Sequence, residues 1–237
     1  MRALDDRDFV RDQYASEANL AARKSAYANI EGPDPRELAF AAVAEAAPRR
    51  VIEVGGGEGE LAERIVHELR ADLIAIDQSK RMVEIQRAKG IDARMGDVQA
   101  LPFADAEFDV AVAAWMLYHV SDVPRAISEL ARVIRPGGRL VAVTNAADHL
   151  QELHDLAGTP ESNRDSLFRS ENGDELLKRS FARVERREAN GWVTMDDEAL
   201  RRYAASWEAL SPILELPRQE PLRIRRRTTI FVAETRR

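Results

Sequence analysis

The sequence predicts an α/β fold built on a doubly wound, mostly parallel sheet. Between about residues 50 and 146, short apolar runs alternate with amphipathic helical patterns, and such alternation is typical of parallel strands joined by helical crossovers. The first run ends in a glycine-rich turn, Gly55-Gly56-Gly57-Glu58-Gly59, and the next ends in Asp77. Open α/β sheets bind ligands at the carboxyl ends of their strands. We therefore expect a nucleotide-shaped site at that edge.

The N-terminal part of the chain is predicted to be helical. Asp8 to about Ala28 carries scattered apolar residues that suit one or two amphipathic helices. Gly32-Pro33-Asp34-Pro35 interrupts this pattern. Because proline favours the first turn of a helix, a new helix is expected from Pro35 to about Ala47.

Three helices are expected between the strands of the core. The first follows the glycine turn and buries Leu61, Ile65, Val66 and Leu69. Ser79 and Asp122 are expected to cap the second and third helices through their side-chain oxygens. Gly137 and Gly138 should end the third helix before a fifth strand from about Arg139 to Asn145.

The last third of the chain is less regular. Residues 146–170 are polar and are expected to form loops, followed by a helix over Asn172–Arg179 and a sixth strand over Phe181–Glu188. An insertion of about 30 residues should contain a helix from Asp196 to about Leu210. Leu222 to Glu234 alternates in places, which predicts one antiparallel last strand. These additions suggest a cover over the carboxyl edge of the sheet and no second domain.

Composition excludes several classes of function. The chain has 237 residues, a net charge of −6 and no cysteine, which excludes disulfides and thiolate chemistry. Its apolar runs are too short to span a bilayer, and the N-terminus lacks the apolar core of a signal peptide, so a cytoplasmic location is expected. The acidic balance argues against a nucleic-acid substrate. Four histidines without ligand spacing predict no metal site.

The glycine positions distinguish between nucleotide ligands. A dinucleotide fingerprint that begins at Gly55 would need glycine at position 60, where the chain has Glu60. The chain has Glu53 followed by Gly55, Gly57 and Gly59 instead. This E-x-G-x-G-x-G pattern resembles motif I of the class I S-adenosylmethionine (SAM)-dependent methyltransferases.

Four further segments, in the same order as in that family, support the resemblance. They are Ala71–Asp77, Arg94–Val98, Leu101–Phe103 with Phe108–Val112, and Arg135–Leu140. The resemblance implies a Rossmann-like, seven-stranded sheet with an antiparallel last strand. It also implies one domain: a helical N-terminal cover (1–47), a SAM-binding core (50–146), an acceptor-side cover with strand six (147–222) and the last strand (223–235). The cofactor would be SAM and the product S-adenosylhomocysteine.

The family motifs imply which residues contact SAM. Gly55, Gly57 and Gly59 would let the main chain approach the methionine portion, and Glu53 would orient the turn or meet the ammonium group. Asp77 would accept hydrogen bonds from the ribose hydroxyls. Asp97 would accept from the adenine amine beside the Val98 backbone, and Met82 would cover the adenine face. Ala114 is small enough for the ligand to lie against its backbone. Each position has an ordinary alternative: glycines for turn geometry, Asp77 as a helix cap, Asp97 as a turn residue and Met82 as core.

Two histidines are candidates for a general base at the acceptor. His119 follows the fourth strand, where many family members carry a histidine, and could instead shape the pocket. His149 follows the fifth strand, whereas His67 and His154 are expected to be solvated. Five residues are candidates for the acceptor cavity, and each could equally be ordinary packing: Tyr14, Tyr118, Asn145, Tyr203 and Trp207.

A small-molecule acceptor is the expected partner, and the chain is expected to be a monomer or homodimer. Several segments, among them Phe168–Gly173, resemble a bacterial branch of small methyltransferases with no established substrate. Three alternatives remain: a methyltransferase for RNA or protein, a non-catalytic SAM-binding protein, and a nicotinamide-dependent oxidoreductase. Only the basic run from Arg223 to Arg227 favours RNA, and exposed strand arginines are usually solvated or protect an edge.

Overall fold

A seven-stranded sheet forms the centre of the computed structural model, which describes residues 30–159 and 166–236. In spatial order its strands are β4 (Asp92–Met95), β3 (Asp72–Asp77), β2 (Arg50–Val54), β5 (Phe108–Ala114), β6 (Ile134–Asn145), β10 (Thr228–Glu234) and β7 (Arg183–Glu188). All neighbouring strands are parallel except β10, which is antiparallel to both β6 and β7. This is the predicted doubly wound sheet with one antiparallel strand, and the expected fold class is confirmed.

The first half of the chain supplies most of the parallel strands. Its elements are β1 (Ile30–Glu31), α1 (Pro35–Ala44), β2 (Arg50–Val54), α2 (Glu60–Arg64) continued by a π-helical turn (Ile65–Leu69), β3 (Asp72–Asp77), α3 (Lys80–Ala88), β4 (Asp92–Met95) and β5 (Phe108–Ala114). The predicted cap of α3 is present, because Ser79 Oγ accepts from Met82 N–H at 3.4 Å. The helices predicted over Asp8–Ala28, and Tyr14 with them, lie outside the described residues.

The second half completes the sheet and adds the cover. Its elements are a 3₁₀ turn (Leu117–His119), α4 (Val123–Val133), β6 (Ile134–Asn145), α5 (Gln151–Ala157), α6 (Gly173–Lys178), β7 (Arg183–Glu188), β8 (Gly191–Met195), α7 (Asp197–Ala205), a 3₁₀ segment (Glu208–Glu215), β9 (Leu222–Arg226) and β10 (Thr228–Glu234). Asp122 caps α4 as predicted, accepting from Arg125 N–H at 3.0 Å.

Helices cover both faces of the main sheet. On one face, α4 and α6 pack over a core that includes Phe108, Leu130, Phe168 and Phe231. On the other, α1, α2 and α3 pack over Val51, Ala75, Val110 and Val141. Because both faces of the central strands are buried, these strands are apolar almost throughout. The carboxyl edge of the sheet is thereby left as the place where a ligand can approach.

The prediction of a single last strand from Leu222 to Glu234 is wrong. The chain bends at Arg227, so that β9 joins a small antiparallel sheet with β8 and β1, while β10 enters the main sheet. The amide N–H of Ala146 donates to Arg227 O at 3.0 Å, and that of Leu150 donates to Arg225 O at 3.0 Å. These bonds hold the bend against the loop after β6. The last strand of the main sheet therefore spans Thr228–Glu234, and not residues 223–235.

Three smaller expectations also need correction. The region 146–170 is not only loop, because α5 forms over Gln151–Ala157. The fifth strand begins at Ile134 and not at Arg139, since the Gly137-Gly138 pair lies within β6. The helix expected from Asp196 to Leu210 ends at Ala205 and is followed by the 3₁₀ segment. Among the described residues, no helix is long and apolar enough to cross a membrane.

Candidate functional site

One large cavity, of about 690 Å³, opens at the carboxyl edge of the main sheet. The glycine turn after β2 and the starts of α1 and α2 contribute to its lining. The ends of β5 and β6, α7 and the bend between β9 and β10 also contribute. The predicted residues that line this cavity are Glu53, Gly55, Gly57, Ala114, Tyr118, His119, Asn145, His149, Tyr203 and Trp207.

Glu53 lies beneath the glycine turn and is 1 % exposed. Its Oε2 has no hydrogen-bond partner among residues 30–159 and 166–236. Burial raises the pKa of Glu53 to about 7, the charge of Asp77 acts in the same direction, and a hydrogen bond from the Ala62 backbone opposes them. A buried carboxylate of this kind is costly unless a ligand or a proton satisfies it.

The carboxylate of Glu53 explains a glycine that the motif analysis passed over. A Cβ at Gly56 would lie 2.3 Å from Glu53 Oε2, which is far inside van der Waals contact. Only glycine fits there while the carboxylate keeps its position. At Gly57, by contrast, a Cβ would meet nothing within 4 Å, so the Cα of Gly57 faces open space.

Gln86 supports the turn from below and was not anticipated from sequence. This α3 residue is fully buried, and its Nε2 donates to Gly57 O at 2.6 Å. Its side chain also lies against Gly59, where φ is +77° and a Cβ would come within 2.9 Å of Gln86 Cγ. A buried polar residue in an otherwise apolar helix face is the signal that could have identified it.

Asp77, Met82, Asp97 and Val98 surround the neighbouring ends of β3 and β4 and do not line the large cavity. Asp77 Oδ1 accepts from Ser79 N–H at 2.8 Å. Burial raises the pKa of Asp77 to about 6, against the lowering effect of the Ser79 and Gln78 backbone N–H groups. Met82 and Val98 are buried in the core, and Asp97 Oδ1 accepts from Gln99 N–H at 2.9 Å. The alternative of Asp97 as a turn residue therefore describes a real contact. Asp77 does not cap α3 itself, because Ser79 is the N-cap residue and Asp77 accepts from its backbone N–H.

The end of β5 is held in an uncommon conformation. Trp115, directly after Ala114, has φ of +54°, which costs a non-glycine residue roughly 1–2 kcal/mol. Its amide N–H donates to Val143 O at 2.9 Å and its indole Nε1 to Asn145 Oδ1 at 3.3 Å. Asn145 Oδ1 also accepts from Thr228 Oγ1 at 2.9 Å. Asn145 is thus fixed by two strands at the cavity wall, and Trp115, missed by the sequence analysis, lines it.

His119 and His149 lie at the same cavity but in different environments. His119 is partly exposed, and its ring packs edge-on against Tyr118 with centroids 4.4 Å apart. His149 is buried, with Nδ1 within 3.0 Å of both backbone atoms N and O of Arg227. Burial lowers the pKa of His149 to about 4, and the nearby Arg226 charge adds to this. His149 is therefore neutral at pH 7. Its Nδ1 accepts from Arg227 N–H in one tautomer and donates to Arg227 O in the other.

The acceptor candidates Tyr203 and Trp207 come from the cover. Tyr203 on α7 is 7 % exposed and packs in a small core with Leu150, Val193 and Ile224. Trp207 follows α7 and packs against the same core. Both also line the cavity, so packing and lining are compatible roles for them.

The expectation that the other two histidines and the arginine run are solvated holds only in part. His67 is exposed as expected, but His154 is buried, with Nδ1 3.1 Å from Thr159 Oγ1. Of the arginine run, Arg226 is 1 % exposed and lines the cavity, so the expectation of solvated arginines is wrong there. Its neighbours form ion pairs: Arg223 with Glu31, Arg225 with Glu152 and Arg227 with Asp148.

No group of three or more potential metal ligands occurs within residues 30–159 and 166–236. The residues that line the cavity offer carboxylates, backbone groups, histidines and aromatic rings.

Comparison with known proteins gives three informative similarities. A ubiquinone/menaquinone biosynthesis C-methyltransferase of Dinoroseobacter shibae is 36% identical over 126 residues, which are 48% of this chain and 50% of that protein. The crystal structure of the [4+2]-cyclase SpnF has a TM-score of 0.65 at 18% identity, covering 96% of this chain and 95% of that one. Phosphoethanolamine N-methyltransferase 2 of Haemonchus contortus, bound to phosphomonomethylethanolamine and S-adenosylhomocysteine, has a TM-score of 0.65 at 14% identity, covering 100% and 61%.

The sequence similarity is concentrated in the core of the main sheet. A family model described as a methyltransferase domain matches residues 52–142, which include the glycine turn, Asp77 and Asp97. The match to the D. shibae protein covers about half the length of that relative. Residues 52–142 therefore match a methyltransferase domain, and the resemblance of this chain to SAM-dependent methyltransferases is confirmed.

Proposed function

We propose that this chain transfers a methyl group from SAM to a small-molecule acceptor. The observation that carries the proposal is the buried Glu53 carboxylate under the glycine turn, whose Oε2 has no partner among the described residues. The ammonium group of a SAM molecule would satisfy that oxygen. A dinucleotide offers phosphates at this position, which the carboxylate would repel.

Different residues around the turn would contact different parts of SAM. Glu53 would receive the ammonium, the Gly55–Gly57 main chain would lie against the methionine portion, and Asp77 would accept from the ribose hydroxyls. Asp97 and Val98 would meet the adenine edge, with Met82 beside its face. Gln86 would hold the turn in place through its 2.6 Å bond to Gly57 O. When bound, SAM supplies an electrophilic methyl group on a sulfonium.

The other half of the cavity would hold and orient the acceptor. In-line displacement needs the acceptor atom aligned with the methyl group, and such positioning can contribute about 7–11 kcal/mol. Trp115, Tyr118 and Trp207 would confine the acceptor, and Asn145 offers a fixed amide. The acceptor atom forms a bond to the methyl carbon while the sulfur keeps the electron pair of the broken bond, which leaves S-adenosylhomocysteine.

The two histidines would serve different purposes. His149, with its pKa lowered to about 4 by burial, is a weak proton acceptor and would position the acceptor through a hydrogen bond. His119 would then be the general base where the acceptor is a hydroxyl. An acceptor that is already deprotonated would need no base.

A defined experiment tests the SAM site. Asp77→Ala is expected to weaken SAM binding by about 1–3 kcal/mol, because a buried acceptor of ligand hydroxyls is lost. The measurement is isothermal titration calorimetry, with the exposed Glu84→Gln on α3 as the control. An unchanged affinity in Asp77→Ala, or saturation of the wild type by a nicotinamide nucleotide and not by SAM, would remove the basis of the proposal.

A second candidate is a SAM-binding protein that does not transfer a methyl group, since one protein of this fold is described as a [4+2]-cyclase. The two candidates differ in product. Methyl transfer produces S-adenosylhomocysteine when acceptors are supplied, whereas a non-transferring protein binds SAM and leaves it intact. The cytoplasmic location, the monomer or homodimer, and the division of the chain into core and covers stay predictions.

A further inference from the structure

Asn145, the last residue of β6, lines the large cavity with its amide held in one orientation. Its Oδ1 accepts two hydrogen bonds, from Trp115 Nε1 at 3.3 Å and from Thr228 Oγ1 at 2.9 Å. A side-chain amide can often be placed either way round, but an indole N–H can only donate. The atom that faces Trp115 must therefore be the carbonyl oxygen of the amide and not its nitrogen.

The two neighbours that fix this orientation are themselves held firmly. Thr228 is 2 % exposed and is the cross-strand partner of Asn145 in the antiparallel β10–β6 pair. Trp115 donates its backbone N–H to Val143 O at 2.9 Å. Rotation of the amide would break the bonds to both Trp115 and Thr228, so the amide is rigid as well as oriented.

The nitrogen of this amide is left for a ligand. Asn145 Nδ2 donates to no residue in the part of the chain that the structure describes. The nitrogen is not sealed inside the protein, and the residue that carries it lines the cavity. An amide NH₂ group has two donor hydrogens and no acceptor. Asn145 therefore offers the cavity a neutral group that can only donate.

The position of Asn145 in the sheet separates it from the glycine turn. β6 is the second strand from β2, with β5 between them, and two strand spacings correspond to about 10 Å. The glycine turn follows β2, where Glu53 lies. Asn145 is thus placed to contact the methyl acceptor and not the methionine portion of SAM.

We propose that the methyl acceptor carries a carbonyl or ionised hydroxyl oxygen, and that Asn145 Nδ2 donates a hydrogen bond to this oxygen and selects for it. The inference rests on the proposed function, because it takes SAM to bind at the glycine turn. A ligand without such an oxygen would displace water from the amide and leave its N–H groups unpaired, which disfavours binding. Because the amide is already oriented, its bond to the correct ligand costs little conformational entropy.

Two neutral ligands of the same shape test the proposal. They are 2-acetylnaphthalene, which has a carbonyl oxygen, and 2-isopropenylnaphthalene, which has a CH₂ group in its place. Each is titrated calorimetrically into the full chain saturated with S-adenosylhomocysteine. We expect the ketone to bind the wild type about five-fold tighter or more. Equal binding of the two, or a preference for the alkene, would overturn the inference.

Substitution of Asn145 assigns the preference to its amide. Asn145→Asp keeps the oxygen that accepts from Trp115 and Thr228 but replaces the donor nitrogen with a second oxygen. This variant should lose the preference for the ketone and bind the cation 2-naphthamidine about five-fold tighter than the wild type does, a gain that a loss of structure would not produce. The matched control is Asn190→Asp, the same change at an exposed position. An unchanged preference in Asn145→Asp, or an equal gain for the amidine in Asn190→Asp, would contradict the assignment.

The design separates this inference from the proposed function. If S-adenosylhomocysteine does not bind, the proposed function fails and this inference fails with it. If it binds and the wild type takes up neither the ketone nor the alkene, the acceptor inference fails and the SAM site stands. If Asn145→Asp does not fold, Thr228→Val takes its place. That variant removes one of the two bonds that orient the amide and should reduce the preference for the ketone, whereas an undiminished preference would contradict the role of the fixed amide.

Discussion

Binding of SAM should release protons from two buried carboxyl groups. Burial raises the pKa of Glu53 to about 7 and that of Asp77 to about 6. At pH 6.5 the first would be about three-quarters protonated and the second about one-quarter protonated, so the pair holds about one proton. A ligand that brings an ammonium to Glu53 and hydroxyl donors to Asp77 favours the ionised form of both.

The expected release is therefore about one proton per SAM at pH 6.5 and close to none at pH 8.5, where both groups are already ionised. Calorimetric titrations in phosphate and in imidazole measure the release, because the two buffers differ in ionisation enthalpy. Glu53→Gln should remove most of it at pH 6.5. Asp77→Asn should also reduce it, because it removes one titrating group and because the charge of Asp77 helps to raise the pKa of Glu53. Gln and Asn keep the shape of each side chain, so the titrating proton is the main change.

The exposed Glu84→Gln on α3 serves as the control and should leave the release unchanged. A wild type that binds SAM without releasing protons at pH 6.5 would refute the assignment of Glu53 and Asp77 to the ligand. A release of equal size at pH 8.5 would point to other groups. Both results would leave the fold untouched and would concern only the site.

Three further predictions follow from the same geometry. Gly56→Ala should lower the free energy of unfolding by about 1–3 kcal/mol through overpacking against Glu53, measured by urea unfolding. Gly57→Ala should lower it by roughly 1–2 kcal/mol, the cost of an alanine in the left-handed conformation. A Gly56→Ala variant as stable as the wild type would contradict the close contact. His149 is buried neutral, so below pH 6.5 the unfolded chain takes up a proton that the folded chain resists until about pH 4. Between pH 7.5 and pH 5, the free energy of unfolding should therefore fall by about 2 kcal/mol more in the wild type than in His149→Gln. The exposed His67→Gln serves as the control. The same dependence of unfolding free energy on pH in the wild type and in His149→Gln would contradict the prediction. His119→Ala should keep the affinity for SAM and lower the rate of methyl transfer roughly 10²–10⁴-fold if it acts as a general base; a loss of SAM affinity would make it a structural residue.

Local sequence patterns were sufficient to predict the main elements of the parallel core. The strands over residues 50–54 and 108–114 follow from apolar runs, and Ser79 and Asp122 cap helices where their sequence position predicts. The glycine turn and Asp77 follow from spacing along one chain segment. These features depend on neighbours within a few residues, so a linear pattern contains most of the information about them.

The structure of the cover depends on contacts between residues that are far apart in the sequence. The bend at Arg227 exists because β8 and β1 offer β9 a second sheet, and the pairing of Glu31 with Trp192 spans most of the chain. Alternation along residues 222–234 cannot reveal which of two sheets a strand joins. The helix over Gln151–Ala157 likewise forms under packing from the Glu208–Glu215 segment and β9.

The side-chain environments of the site were also decided in three dimensions. The arginine run looks uniform in sequence, yet Arg226 is buried at the cavity wall while Arg223, Arg225 and Arg227 pair with carboxylates. The raised pKa of Glu53, the need for glycine at position 56 and the bond from Gln86 all arise from atoms that only folding brings together. Charge and burial are properties of a neighbourhood in space, and the residues that make up each neighbourhood come from several parts of the chain.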